Sequence, residues 1–355
     1  MVQAADFPPE HVLTAVAGLP CAFGGSACRA RLRSEPEEFQ VDEVTLVEPD
    51  GKGEHVLLQI EKRDSNTDWV AGVLGRHAGV PRRDVSYAGR KDRHALTRQW
   101  FSVRLAGRPE PDWSMLDCAE IRVLQHVRHS RKLRVGALRG NRFFIRAREL
   151  EGDRQLLTER LRQLSESGMP NYFGEQRFGH EKGNLDGALA MFSGAAGNFS
   201  RQQRGLFLSA ARAELFNQVL AARVATGTWN LALEGERLML DGSRSSFLPD
   251  RIDAEIQQRL DLFDVHPSGP LWGRGELPVT GTVAEQERTV LAPLQALREG
   301  LERAGLPQER RALRARVSEL DWSFTGNDLE LSFFLPRGSY ATALLRECLV
   351  YRTAL

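Results

Sequence analysis

Tyr87-Ala88-Gly89-Arg90-Lys91-Asp92-Arg93-His94-Ala95-Leu96-Thr97-Arg98-Gln99-Trp100-Phe101 sets one carboxylate, Asp92, at the tip of a turn among cations. Val85 to Ala88 reads as a short strand, and Thr97 to Leu105 alternates as a second. An acid between Lys91 and Arg93, close to a glycine, is poorly placed for core packing. It is well placed to act on something anionic that the cations hold. The other reading is a turn aspartate that hydrogen-bonds its own backbone.

Upstream of this turn, strand text starts at Phe39 and returns at His55–Glu61, after the turn Pro49-Asp50-Gly51-Lys52-Gly53. A helix is expected from a cap near Asn66 or Thr67 to Gly79, burying Val70, Val73 and Leu74. Downstream, Arg142–Arg148 alternates again, with Phe143, Ile145 and Ala147 on one face and Arg142, Phe144, Arg146 and Arg148 on the other. A helix over 153–167 carries Leu157, Leu161 and Leu164 and stops at Gly168 and Pro170. A long helix starts at Ser200, which forms a capping box with Gln203 and buries Leu208, Ala211, Leu215 and Val219. Residues 226–283 read as loops and short strands, and 285–304 as helix. Leu329–Leu335 is a strand, and a last helix runs from Ser339 to about Val350. Residues 1–30 read as loop-rich. Strands gather at both ends of the chain and helices in the middle. This predicts one sheet built from two distant segments, with a domain inserted between them.

The chain has 355 residues, a formal charge of only +1 and an apolar fraction of 41%. It is long enough for two domains, and any polyanion site must come from local clustering. The strongest cluster runs from Arg122 to Arg148. It contains Arg122, Arg128, Arg131, Lys132, Arg134, Arg139, Arg142, Arg146 and Arg148, and no acid. Such a run repels itself unless it meets a polyanion, and nucleic-acid phosphates are the natural partner. A solvated strand face is the plainer alternative.

Phe39 follows Glu37-Glu38, Phe143 follows Gly140-Asn141, and Tyr340 follows Gly338-Ser339. Each ring can stack on an unpaired base or pack in a core. Asn141 offers both a donor and an acceptor, as reading a uracil edge requires. Asn171-Tyr172-Phe173-Gly174-Glu175-Gln176-Arg177-Phe178-Gly179 fits either an interdomain loop or an RNA contact. Cys21, Cys28, Cys118 and Cys348 form no Cys-x-x-Cys pair, which points to reduced thiols and a cytoplasmic protein. The start of the chain lacks a signal-peptide pattern, and no apolar stretch reaches the roughly 20 residues of a membrane span. No phosphate-cradling loop, dinucleotide fingerprint, zinc-protease motif or nucleophile elbow is present. The sequence gives no sign of a metal or other cofactor.

Gly89-x-Lys91-Asp92-x-x-Ala95-x-Thr97-x-Gln99-Trp100 resembles the catalytic motif of the TruD family of tRNA pseudouridine synthases. Four further blocks resemble that family in order: Pro36-Glu37-Glu38-Phe39; Arg131-Lys132-Leu133-Arg134-x-Gly136-x-Leu138-x-Gly140-Asn141-x-Phe143; Asn171 to Gly179; and Leu335-Pro336-x-Gly338-Ser339-Tyr340-Ala341-Thr342. The resemblance implies an α+β fold. Its pseudouridine synthase core would be a mixed, mainly antiparallel sheet with flanking helices, formed by 1–167 and 313–355. A family-specific α/β domain would be inserted at 168–312, with RNA in the cleft between them.

By the same resemblance the protein would isomerise a uridine of tRNA, at position 13, without a cofactor. A monomer is expected, because the inserted domain can supply the second wall of the cleft. Asp92 would be the nucleophile that attacks the ribose, or would promote a glycal intermediate, on a flipped-out uridine. Phe39, Asn141 and Tyr340 fall where the family places uridine contacts, and Tyr340 stands where Phe is frequent. Phe143, Lys91 and Glu37 complete the expected substrate-binding set. Arg33 stands where some relatives have Lys, and would hold the Asp92 carboxylate. Arg131, Lys132 and Arg134 would take the RNA backbone. The competing class is a non-catalytic RNA-binding protein in which Asp92 is only a turn residue.

Overall fold

The computed structural model describes residues 18–116, 118–179, 183–194 and 198–353. The loop-rich reading of 1–30 lies partly outside them. The chain forms two compact units. One holds the described residues of Cys28–Gly152 and Val317–Gly338 with 351–353. The other holds those of Asp153–Arg316 and Ser339–Val350 with 18–27. The expected insertion, 168–312, lies inside this second unit.

The first unit is built on strands β1 (Cys28–Leu32), β2 (Phe39–Thr45), β3 (His55–Arg63), β4 (Val85–Tyr87), β5 (Leu96–Arg104), β6 (Ile121–His129) and β7 (Leu138–Gly152), with helix α1 (Thr67–His77). The hairpin Ser318–Thr325/Asp328–Pro336 joins the same ten-stranded sheet. Its order runs from that hairpin through β7, β2, β5 and β3 to β6. β2 and β5 run parallel, and the neighbouring ladders are antiparallel. This is the mixed, mainly antiparallel α+β architecture expected from the sequence.

Strand parity explains the sheet's two sides. Val56, Leu58 and Ile60 of β3 and Phe101 and Val103 of β5 are buried with Val70, Ala71 and Leu74 of α1. Leu57 and Trp100, of opposite parity, pack with Ala88, Leu133 and Leu138. β7 is longer than its Arg142–Arg148 centre, because it pairs β2 and the Asp328–Pro336 strand before reaching β1. Gly140 lies where β7 crosses that strand. A Cβ there would sit 2.1 Å from the Leu335 carbonyl oxygen, so only glycine fits.

β5 has β2 beside it only over Leu96–Arg98, and β4 beside it over Phe101–Val103. The ladder therefore opens between these two neighbours. The chain from β4 to β5 carries Gly89 through Ala95, so the Asp92 turn belongs to this seam.

In the second unit, helix α2 (Arg154–Ser167) is capped by Asp153, whose carboxylate accepts from Gln155 N and Leu156 N at 2.9 and 3.0 Å. Its stripe Leu157, Leu161 and Leu164 is buried, and Gly168 ends it at φ +76°. Helices α3 (Gly183–Ser193) and α4 (Arg201–Ala225) follow, then α5 (Ala254–Asp261), α6 (Gly281–Leu291), α7 (Gln295–Arg303) and α8 (Ala341–Arg346). Ser200 and Gln203 form the expected capping box, and Ala211, Leu215 and Val219 are buried with Leu297 and Leu301 of α7.

Three local expectations change. The single helix over 285–304 is two helices, α6 and α7. Pro293 stands between them, and its ring removes an amide and clashes with the preceding turn. The last helix is one short segment, α8, after which Leu349–Thr353 is a strand. Helix α5 falls within a stretch read as loops and strands. Its Asp253 cap accepts from Ile256 N at 3.1 Å.

Candidate active site and RNA-facing loop

The side chains of the seam hold the Asp92 turn in place. Gln99 is buried in β5 and donates through Nε2 to the Gly89 carbonyl at 3.0 Å. Its Oε1 accepts from Thr67 Oγ1 at 3.0 Å, and that oxygen accepts from Lys91 N at 3.0 Å. The first residue of α1 thus ties the turn to the strand. Trp100 N, at the opening in the ladder, donates to the Glu43 carboxylate at 3.2 Å. The other Glu43 oxygen pairs with Lys91 Nζ at 2.6 Å. Both side chains are out of water, 4% and 0% exposed. Lys91, expected to bind substrate, is thus turned inward.

Asp92 follows Lys91 and stays accessible, its side chain 22% exposed. Arg33 Nη2 lies 3.6 Å from Asp92 Oδ1. The Arg33 guanidinium also covers the Phe39 ring, 4.0 Å from its centre. Arg33 has φ +58°, a left-handed conformation that is uncommon outside glycine. The structure therefore unites three expected site residues, Asp92, Arg33 and Phe39. A fourth contact was not anticipated. Lys62, fully buried, donates from Nζ to the Asp92 carbonyl at 2.6 Å.

The Pro36-Glu37-Glu38-Phe39 block is a single 3₁₀ turn with proline at its first position. Glu38 caps it, accepting from Ser34 N at 2.9 Å and Glu35 N at 3.4 Å, and pairs with Arg148. Glu37 faces elsewhere and binds Arg63 at 2.6 and 3.3 Å, and this bond lowers its pKa. Phe39 is buried edge-to-face on Phe143, and Phe143 stacks on Phe333 with centroids 5.2 Å apart. Asn141 pairs across β7 and β2 with Glu43. Its Oδ1 is shielded from water and accepts no hydrogen bond among the described residues. A buried acceptor without a donor is unfavourable in isolation.

The basic run separates into two parts. All but one of its strand residues meet acids of the same chain: Arg122 with Glu61, Arg128 with Glu110, Arg142 with Glu319, Arg146 with Glu330, and Arg148 with Glu38 and Asp328, while Arg139 of β7 forms no ion pair among the described residues. Self-repulsion in this part is thus relieved without a polyanion. The acids come from neighbouring strands and turns, which a linear charge count cannot see. The remaining part is the exposed loop between β6 and β7. There Arg131 and Arg134 form no ion pair among the described residues, and Lys132 Nζ only donates to the Arg83 carbonyl at 3.3 Å. Leu133 anchors this loop in the cluster with Ala88 and Trp100, and Gly136 N donates to the Ala88 carbonyl at 2.7 Å. The loop's cations are thereby fixed next to the Asp92 turn.

In the second unit, Tyr340 is held by the Asn171–Gly179 block. Its hydroxyl accepts from Arg177 Nη2 at 2.9 Å, and its ring lies 6.3 Å from Phe173. A Cβ on Gly174 would stand 3.0 Å from the Tyr340 ring. Arg311 lies over Phe173 at 4.1 Å and donates to Asn171 Oδ1 at 2.7 Å. Burial pulls its guanidinium down to about 10. This block is packed framework within its unit.

Sequence reasoning missed Lys62, Glu43 and Thr67. The available signal was parity. Lys62 continues Leu58 and Ile60, and Glu43 continues Phe39 and Val41, so each places a charge in an apolar row. Among the described residues no cluster of His, Cys, Asp or Glu could hold a metal, and no helix is long and apolar enough to cross a membrane.

Comparison with known proteins adds to this geometry. The family model of tRNA pseudouridine synthase D (TruD) matches residues 22–188 and 184–348. The chain is 51% identical over 330 residues to the tRNA pseudouridine synthase D of Methylococcus capsulatus, covering 93% of each. It is 51% identical over 331 residues to that of Nitrosococcus oceani, covering 92% of each. For that of Xanthomonas axonopodis pv. citri the identity is 48% over 345 residues, with 93% and 94% covered. A crystal structure from Methanosarcina mazei, solved as a candidate tRNA pseudouridine synthase D, superposes with a TM-score of 0.70 over 93% of this chain and 96% of that one, at 23% identity. At that identity the likeness speaks for the fold alone.

Proposed function

Since the chain belongs to the tRNA pseudouridine synthase D (TruD) family and is an isomerase, we propose that it converts uridine 13 of tRNA to pseudouridine with Asp92 as the reacting carboxylate. The observation that carries this reading is the Arg33–Asp92 pair, in which the Arg33 guanidinium also covers Phe39. The pair sets a carboxylate beside a cation on an accessible turn.

The uridine must leave its stack to be reached. Asp92 then begins the reaction, either by attack on ribose C1′ or by promoting the glycal. The N1–C1′ bond breaks, the base turns, and C5 bonds to C1′ as the Asp92–C1′ bond breaks or, by way of the glycal, as the proton taken from C2′ is returned there. The proton lost from C5 is made up at N1. Atoms and electrons balance within the nucleotide, so the scheme requires no oxidant, reductant or carrier.

The unsatisfied Asn141 Oδ1 supports a role in accepting an N–H from the uracil edge. Tyr340 is proposed, on family resemblance, as a ring on which the uridine stacks. Phe143, Lys91 and Glu37 act by supporting the site, given their partners Phe333, Glu43 and Arg63. Arg131, Lys132 and Arg134 take RNA phosphates. We assign 1–167 and 313–355 to the catalytic domain and 168–312 to the inserted family domain, in a monomer that works in the cytoplasm.

The decisive experiment is Asp92→Asn. It is expected to keep tRNA affinity and abolish pseudouridine formation. Mapping pseudouridines in cellular RNA with and without the protein tests the position. Wild-type protein that converts no uridine in any tRNA overturns the reading.

A further inference from the structure

Lys62 is the least conventional side chain in the first unit. It is 0% exposed, yet it forms no ion pair among the described residues. The residues in register with it are uncharged, Thr97 on β5 and Ile121 on β6. The charged groups that act on it are Asp92 and Lys91 of the turn and Asp64 just beyond its own strand. Among the described residues its side chain makes one hydrogen bond, from Nζ to the Asp92 carbonyl at 2.6 Å.

Burying an ammonium without a carboxylate opposes folding. A methionine would fill the same volume without that penalty. The lysine is therefore best explained by what its charge does at Asp92. Resting on the reading of Asp92 as the reacting group, we propose that Lys62 is the positioning residue of the catalytic turn. Its ammonium clamps the Asp92 main chain and sets a second positive charge beside that of Arg33 near the carboxylate, and loss of its proton slows catalysis. Burial pulls this ammonium down to about 8, so the charge is present at neutral pH and lost just above it.

The test is Lys62→Met, assayed for single-turnover pseudouridine formation on unmodified tRNA, beside wild type and Asp92→Asn. The expected result is a chemical step slowed roughly 10–100-fold at neutral pH, the scale of a misplaced reacting group. The tRNA Kd should stay within about threefold, well under the 1.4 kcal/mol of a tenfold change. Thermal stability should be equal or higher. Wild-type rates should decline as pH rises through about 8, and the residual rate of Lys62→Met should lack that decline.

A chemical step in Lys62→Met within about threefold of wild type overturns the proposal. So does a rate loss accompanied by equal losses of tRNA affinity and melting temperature, which is a structural role. A wild-type rate that stays flat from neutral pH to well above about 8 overturns it whatever the variant does. If Asp92→Asn is inactive while Lys62→Met is not impaired, only this inference fails. If wild type forms no pseudouridine, the catalytic reading itself fails.

Discussion

Lys91, immediately before Asp92, forms an ion pair with Glu43 at 2.6 Å with both side chains out of water. Glu43 also accepts the Trp100 amide at the open point of the sheet. Glu43→Gln leaves the ammonium uncompensated, and such a loss destabilises by about 3–5 kcal/mol. Urea unfolding should show this. The double variant Glu43→Gln/Lys91→Met should recover much of it, so the two changes should be strongly non-additive. Additive losses would mean that the pair is solvated in solution.

Arg33 pairs with Asp92 and places its guanidinium over Phe39. Arg33→Lys keeps the charge but cannot stack as a planar fork does. It should keep most activity. Arg33→Ala should slow the chemical step roughly 10²-fold, the scale of one lost electrostatic contact to a reacting group. Both effects are read in single-turnover rates, with tRNA affinity measured alongside. Equal rates for Ala and Lys would show that the cation is dispensable.

Salt dependence should divide the basic run. Replacing Arg131, Lys132 and Arg134 by Gln should weaken tRNA binding and reduce the slope of log K against log salt by roughly 0.7–0.9 for each phosphate contact removed. Gln at Arg142 and Arg146 should leave the slope nearly unchanged, because Glu319 and Glu330 already neutralise them. Filter binding across a salt series checks both. An equal effect from both sets would place the β7 face in the RNA interface.

Lys62 should make stability pH-dependent in a defined direction. Burial pulls its ammonium down to about 8 in the fold, from the ordinary 10.5 of a lysine in water. Below the lower value both folded and unfolded chains carry the proton, and the burial penalty is fully present. Between the two values the unfolded state binds more protons, so stability rises with pH. At neutral pH, Lys62→Met should therefore be more stable than wild type by about 2 kcal/mol, the burial penalty less one lost hydrogen bond. That advantage should vanish by about 10.5. Paired urea titrations at several pH values test this, and a pH-independent difference refutes it.

Much of this structure is legible in the sequence because its signals are local. The Asp153 and Ser200 caps, the Leu157–Leu161–Leu164 stripe and the alternation of Phe143, Ile145 and Ala147 are each contained in one segment. The site is less legible because its supports are distant. Glu43 reaches Lys91 across 48 positions and Lys62 reaches Asp92 across 30. A motif of G-x-K-D type marks where the carboxylate sits and says nothing of what holds it. The charge run misleads for the same reason, since Glu319 and Glu330 approach Arg142 and Arg146 from some 180 residues away. Short helices such as α5, within loop-like composition, have too few residues for periodicity to stand out.

The Trp100 amide closes its ladder on a side-chain carboxylate where its neighbours use main-chain carbonyls. That makes it a natural spectroscopic probe. Its nitrogen and proton resonances follow the charge of Glu43, and through Glu43 the placement of Lys91 and the residue after it. A single backbone signal inside the sheet, read on isotope-labelled protein, thus reports whether the Asp92 turn is seated, with no ligand or substitution introduced.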